Sequence, residues 1–480
     1  MHSTASVGRN QSSDLAEAAI AAATRALRHA VDVQVGAGCR FGDREETLLR
    51  VANEVCRRCL EADLQKRSDS FAAEVLVDGF TYRQHEPGEV TYHSLCGPLS
   101  VRRFTYRKAG IHNGPTIVPL ELVAPIVEGG TPALAFSVAQ GIAKAPSRHY
   151  LEDMHAAFRL PPSRSTIERM AQRLGGAAKQ QVPSIEPVLR ATEELPAGAH
   201  AIAIGLDRTT VPIIEERPPG ELPTTRRKKR TTPYQRKPPH PFDVAYRMAY
   251  VGTFSIVDAE GGALIARKYG ATPEEGPDEL VERLMADVER ARAQNSALPI
   301  VIVQDGAPEL WGLIWMALRA RGIKKWSDII DRFHANEHLA NALTLVIKDD
   351  GMRSQLYARW QKELDTTDRA MRTIRRWLEA RRGQVAKSNL RLFETHLSYF
   401  FEERFFNYAR YRRAGFPIAS GVTEGACKSL IAARFKRSGQ RWYQDGLTAV
   451  LTLRALHQSD RLNAYWNRML PLFKREVAAA

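Results

Sequence analysis

The sequence predicts an α/β protein: a mixed sheet flanked by helices and carrying an all-helical insertion, preceded by a mainly helical region with one β-hairpin. Three observations lead there. Two uninterrupted apolar runs, residues 201–206 and 299–303, have the length and content of buried strands. Short alternating runs (Val90, Tyr92; then Leu99, Val101, Phe104, Tyr106), broken by Cys96-Gly97-Pro98, read as a hairpin. From residue 334 to about 413, helical periodicity continues without a β signal.

A chain of 480 residues has room for several domains and a large core. The expected division is 1–110, helical with the hairpin; 111–195, helical; and 196–480, the α/β part with its insertion at about 334–413. The formal charge of +15 favours a polyanionic partner, nucleic acid ahead of an anionic membrane. No apolar run approaches the ~20 residues that span a bilayer. Residues 1–14 are polar and lack the apolar core of a signal peptide. The expectation is a cytoplasmic protein with no membrane partner. Five cysteines, Cys39, Cys56, Cys59, Cys96 and Cys427, show no disulfide rhythm. Cys56-Arg57-Arg58-Cys59 is a lone pair within a helical pattern, supplemented nearby by His93 and Cys96 alone. A structural zinc, which needs four ligands, is therefore not expected.

Taken in order, residues 13–64 have helical spacing and break near Gly36-Ala37-Gly38. Residues 133–176 suggest a helix-turn-helix. One helix covers 134–145, a second 147–158, and Ser165-Thr166-Ile167-Glu168 forms a capping box that starts a third, ending at Gly175-Gly176. In a major groove this third helix would bring Arg164 and Arg169 to DNA; a plain helical bundle reads equally well. Residues 180–196 are a linker or connecting helix. The run 201–206 delivers Asp207 at its C-terminal end, and 215–241 is a Pro-rich basic loop in which Arg226, Arg227, Lys228, Lys229 and Arg230 suit phosphate. Residues 242–257 and 263–269 are strands, 273–293 a helix, and 299–304 a strand ending at Asp305. A helix (309–321), a short strand (326–330) and the helical block follow. Gly421-Val422-Thr423-Glu424-Gly425-Ala426-Cys427-Lys428 then opens a helix, with Thr423 a candidate N-cap and Glu424 in the first turn. A last helix covers 445–467.

Asp207, Asp305 and Glu424 are each unremarkable alone, since an acid at a strand end or helix start is common. Together they suggest more. If the strands before Asp207 and Asp305 are neighbours, the two acids lie side by side, and a crossing helix can bring Glu424 to them. Three clustered carboxylates repel one another unless cations hold them. Two Mg²⁺ (or Mn²⁺) ions supply that charge, suit oxygen ligands and serve in-line displacement at phosphorus. Past Glu424 the chain is strongly basic from Arg434 to Trp442 and includes Arg437 and Arg441. Arg441 can pair with phosphate, and the Trp442 indole can either stack on an unpaired base or pack in the core.

These motifs resemble those of bacterial insertion-sequence transposases of the DDE class, in the Kra family, which are distantly related to Mutator-type transposases. The likeness rests on Gly205-Leu206-Asp207-Arg208-Thr209-Thr210-Val211-Pro212, Gln304-Asp305-Gly306-Ala307-Pro308-Glu309-Leu310-Trp311, Ile330-Asp331-Arg332-Phe333-His334-Ala335-Asn336-Glu337-His338-Leu339, and residues 421–428 with Ser438-Gly439-Gln440-Arg441-Trp442. It spans roughly residues 195–456. The resemblance implies an RNase H-like core, a helical insertion before the helix of Glu424, and Asp207, Asp305 and Glu424 as metal ligands. It also implies that Asp331 and His334, matching an acid-x-x-His motif, lie near the scissile phosphate; a helix-start histidine bonded to Asp331 is the plainer reading. One departure is visible: the Cys-x-x-Cys ribbon frequent ahead of the catalytic half is reduced to Cys96, so the helix-turn-helix becomes the candidate for recognising terminal repeats. The expected activity is cleavage and strand transfer on double-stranded DNA by a homo-oligomer near the bacterial nucleoid. An RNase H-like nuclease that does not join, and a non-catalytic DNA-binding derivative, are the alternatives.

Overall fold

The computed structural model describes residues 5–36, 38–218, 221, 241–400 and 402–480, with side chains from residue 20 onward. It is mixed α/β with two five-stranded sheets. The chain divides into two compact units, Met1–Leu174 with Trp466–Ala480, and Gly175–Tyr465. Among the described residues no helix is long and apolar enough to cross a membrane.

The first unit begins with two long helices, Ala5–Val35 and Phe41–Asp69. Its antiparallel sheet comprises β1 (Glu74–Val77), β2 (Phe80–Ser94), β3 (Gly97–Lys108) and β4 (Thr116–Ile117), with Ala478–Ala479 added beside β1. β2 and β3 are the expected hairpin, turning at Leu95-Cys96 with Ser94 paired to Gly97. Tyr92, Leu99 and Val101 bury one face with Leu64 of the second helix and Leu120. Alternation at period two explains why every second residue is apolar. Helices Pro132–Lys144, Ser147–Ala156 and Arg164–Gln180 follow. The cap of the third is Ser163, whose Oγ accepts the Thr166 N–H at 3.3 Å, and not Ser165. Glu168 turns away from a capping box to accept from Ser147 Oγ at 2.7 Å and Arg164 Nε at 2.9 Å.

That helix also runs past Gly175-Gly176, where the sequence placed its end. A Cβ at Gly175 would lie 2.3 Å from the backbone oxygen of Ala449. The glycine is thus a close-approach residue inside a helix, not a stop signal.

The second unit is built on the sheet β7-β6-β5-β8-β9, where β5 is Ala201–Glu216, β6 Phe242–Val257, β7 Ala263–Ala271, β8 Ile300–Gln304 and β9 Ser327–Ile330. β5, β6 and β7 are antiparallel; β8 and β9 join the other side of β5 in parallel. The first and fourth strands of this sheet are therefore neighbours. β5 continues well past Asp207, contrary to expectation, because β6 stays paired with it to Glu216. Its Thr209, Thr210 and Val211 are good strand formers once one neighbour supplies the ladder. Ladder pairing of β5 with β8 covers only Ile202 to Ile204, and near its far end β5 bridges Trp442 at Ile213. Between these two grips β5 has β6 on one side and an open cleft on the other.

The outer edges of the sheet are met by side chains. Ser459 Oγ accepts from Lys268 N at 2.8 Å and donates to Lys268 O at 3.1 Å along β7. Along β9, Tyr408 donates to Ile330 O at 3.0 Å and Tyr411 to Asp328 O at 3.1 Å. Ser459 lies in a break, with Asp460 at φ 54°, that splits the expected last helix into Gln444–Gln458 and Leu462–Phe473. Beside it a buried ionic network ties the helix Val182–Thr192 to the helix Asp278–Gln294. Arg190 bonds Glu186 at 2.6 Å and Asp287 at 2.8 Å, and Arg461 bonds Asp287 at 3.2 Å and Glu193 at 2.7 Å. The described residues between 332 and 413 form a series of helices, from Arg332–Val346 to Tyr408–Arg413, whose Leu339, Leu343, Phe393 and Phe406 join the core of the sheet.

Candidate active site

Asp207 and Asp305 are separated by the same register offset that pairs Ile202 with Ile300 and Ile204 with Ile302. The two acids are thus cross-strand neighbours just beyond the last paired residues of β5 and β8, on the same face of the sheet. Onto that face packs the helix Gly421–Ala426. Its approach is fixed at Gly205, where an added Cβ would sit 2.1 Å from Thr423 Oγ1 and 3.0 Å from Val303 O. Thr423 does not cap the helix, as the sequence suggested. Its hydroxyl is buried against Thr253 Oγ1 at 2.6 Å, pinning the helix to β6.

The result is a cleft of about 260 Å³ lined by Asp207, Asp305, His334, Glu424, Cys427 and Lys428 among others. Asp207 accepts its neighbour's backbone N–H, from Arg208, at 2.6 Å. Burial raises its pKa, and the charge of Asp305 adds to the effect against the pull of the Cys427 thiol and the Arg208 N–H. Asp305 accepts the Ala307 N–H at 3.1 Å, and its carbonyl accepts the Tyr399 hydroxyl at 2.6 Å. Glu424 lies 3.3 Å from Ser420 Oγ and 3.3 Å from Lys428 Nζ. Past Glu424 the helix widens into a π-turn, Cys427–Ala432, a form common at functional sites.

Asp331 and His334 belong to the same cleft. Asp331 is fully buried and caps the helix Arg332–Val346 by accepting from Phe333 N at 2.8 Å and His334 N at 2.9 Å. It also accepts the Ser420 N–H, which anchors the approach to the helix of Glu424. Burial opposes ionisation of Asp331, but its bonds from His334 and Ser420 win and hold its pKa down to about 2. His334 Nδ1 lies 3.2 Å from Asp331 and 3.6 Å from Glu424. Its hydrogen bond to Asp331 outweighs burial, and with the nearby Glu424 and Asp305 charges raises its pKa to about 9. At neutral pH this imidazole is a cation between two carboxylates. The ligand atoms of Asp331, His334 and Glu424 fall within 4.8 Å of one another.

A divalent cation suits this donor set. Asp207, Asp305 and Glu424 offer hard carboxylate oxygens to one cleft; among the described residues the three groups whose ligand atoms come within 4.8 Å of one another are Asp331, His334 and Glu424.

The other expected contact residues lie apart. Arg164 and Arg169 are exposed in the first unit; Arg164 is engaged with Glu168, and Arg169 lies 3.5 Å from Thr166 Oγ1. Arg226, Arg227, Lys228, Lys229 and Arg230 fall outside the described residues. Arg437 and Arg441 are exposed, on the turn that follows the π-turn helix. Trp442 takes the packing alternative: its ring meets Phe435 at 4.9 Å and Arg434 at 4.8 Å, and its backbone bonds Pro212 and Ile214. In the first unit Cys56 and Cys59 are exposed on a helix, and Cys96 occupies the hairpin turn.

Three residues of the cleft and its wall escaped the sequence reading. Cys427 is buried in the lining of the cleft beside Asp207, and burial and that carboxylate push its thiol up. Lys428 follows it at helical spacing from Glu424, a signal that was available. Tyr399, whose ring stacks on His338 at 3.7 Å, had none. No protein-family model matches the chain, and no curated protein matches it.

Proposed function

We propose that this chain is a DNA transposase of the DDE class, which binds element ends, cuts them and joins them to target DNA. The observation that supports it most is the convergence of Asp207, Asp305 and Glu424 on one cleft from β5, from the end of β8 and from the helix after the all-helical segment. The sheet order, three antiparallel strands with two parallel strands added beside the first, supports the RNase H-like reading of the core. The surplus of +15 supports a nucleic-acid substrate.

Asp207, Asp305 and Glu424 would hold two Mg²⁺ or Mn²⁺ ions, which when bound activate a water or 3′-hydroxyl and stabilise the leaving oxygen. The rest of the cleft positions these acids. Asp331 fixes His334, and the imidazolium together with Lys428 orients Glu424. The Arg208 N–H holds Asp207, with Cys427 beside it in the lining of the cleft. Tyr399 and the Ala307 N–H hold Asp305 on both sides of its Cα. Lys428, 78% exposed, can also meet a phosphate oxygen.

The test is cleavage and joining of a labelled duplex carrying the terminal repeats, with Mg²⁺, by wild type and by Glu424→Gln. Wild type should nick and join; the variant should bind equally well and lose at least about a thousandfold in both steps, about 4 kcal/mol of barrier. Cutting without joining would favour the nuclease, and binding without cutting by wild type would leave the non-catalytic derivative.

A further inference from the structure

A second cavity, about 420 Å³, opens farther along β5 and is lined by Pro212, Tyr246, Lys436, Arg437, Gln440 and Arg441. It is joined to the catalytic cleft by one side chain. Lys436 Nζ donates to Thr209 Oγ1 at 2.8 Å, Thr209 lines the cleft, and Lys436 itself lines the second cavity. Thr209 and Pro212 lie a rise of about 10 Å apart along β5 and, three positions apart, on opposite faces of the sheet, so a DNA strand running from the cleft to the second cavity crosses the open edge of β5. That span is short enough for neighbouring nucleotides of one DNA strand.

The lining has the chemistry of a nucleotide site. Tyr246, the cross-strand partner of Pro212, is 69% exposed, a large aromatic left open beside three cations. Arg437 reaches the carbonyl of Ala433 and Arg441 lies over the Phe242 ring at 5.3 Å. Among the described residues neither guanidinium is paired with a carboxylate. The turn between them, closed by Gln440 N–H to Arg437 O at 3.0 Å with Gly439 at φ 74°, aims both at one space. Gln440 lines the same cavity beside them. The volume falls in the range of small-ligand sites, roughly 300–1,000 Å³.

We propose that this cavity takes one unstacked nucleotide of the strand that adjoins the scissile phosphate. Tyr246 stacks on the base, and Arg437 and Arg441 meet the phosphate, with Lys436 bridging to the cleft. An aromatic ring in a concave site can receive a base only after that base has left its own stack, so the substrate here is distorted or single-stranded DNA. The assignment rests on the transposase reading and names where the strand runs.

The experiment is a coupling cycle on terminal-repeat duplexes with one abasic site, moved a position at a time across the nucleotides flanking the cut. Binding by the full chain is followed by fluorescence anisotropy. At one position wild type should lose roughly five- to a hundredfold in affinity. Tyr246→Ala should lose the same on intact DNA and nothing further at that position, while Tyr246→Phe, keeping the ring, behaves as wild type. Arg437→Ala and Arg441→Ala should each make the salt slope shallower by about one. Tyr246→Ala binding intact DNA as wild type does, or losing affinity without coupling to any position, overturns the proposal. If wild type cuts and joins while the coupling is absent, the cavity assignment alone fails. If wild type neither binds nor cuts such duplexes, the transposase reading fails with it.

Discussion

At His334 a single imidazole connects a buried carboxylate to Glu424 in the cleft, and a second pair of histidines lies behind it. His338 stacks on Tyr399, and its Nδ1 meets that of His396 at 3.3 Å, so one of the two rings must donate and the other accept. Burial first, then the neighbouring His396 and His334, lowers the pKa of His338 to about 4. An imidazole with a folded pKa below its unfolded value contributes stability that is complete above about 6.5 and is lost as pH falls toward 4, because the unfolded chain takes up the proton first. In a ¹³Cε1-histidine NMR titration the His338 resonance should move with a midpoint near 4, and urea midpoints should fall across the same interval; a midpoint near 6.5 would mean the pair is open to water. The Asp331-x-x-His334 motif was legible as residues, and its N-capping geometry followed from the spacing. The second layer was not, since Tyr399 and His396 reach Asp305 and His338 from a helix some sixty to ninety residues away along the chain, where no periodicity links them.

The helix Gly421–Ala426 is short, and its place is set by what it touches. Thr423 bonded to Thr253 and Asp331 bonded to Ser420 N fix its two sides, and the absent side chain at Gly205 sets how close it comes. Gly205→Ala should push this helix off β5, costing about 1–3 kcal/mol of stability and at least about tenfold in cutting, with terminal-repeat binding retained. Thr423→Ala in the same chain removes the clashing oxygen and should restore part of the activity; an unimpaired Gly205→Ala enzyme would show the contact to be slack. At this scale the sequence located the long helices and the strands of the second sheet, because apolar runs and helical spacing report burial directly, but not the short elements Glu74–Val77, Thr116–Ile117 and Pro119–Val123. It misjudged where elements stop. Gly175-Gly176 sits within a helix because a neighbouring helix passes close, β5 extends to Glu216 because β6 accompanies it, and the last helix breaks at Ser459 because that side chain serves β7. Each of these ends is decided by a partner distant in sequence.

Across the whole molecule the excess of positive charge is the feature least tied to folding. Binding of the terminal repeats should weaken about 10³- to 10⁵-fold between 50 and 200 mM salt if six to ten phosphates are engaged; a shallow dependence in the same anisotropy titration would mean that the charge serves something other than DNA. The charge was readable from composition and the α/β class from patterning, but where the sequence showed a lone hairpin the first unit carries a five-stranded sheet. The buried network of Arg190, Arg461, Glu186 and Asp287 was not readable, because an arginine in sequence looks the same whether it faces water or an internal carboxylate. The side chains along the outer strands bear on a different property. Open ladders of N–H and C=O groups at a sheet edge invite strand addition and aggregation. Ser459 occupies both backbone groups of Lys268 on β7, and Tyr408 and Tyr411 occupy carbonyls of β9. Three hydroxyl groups thus occupy ladder positions on both outer strands of the sheet, leaving a second chain fewer places to pair there.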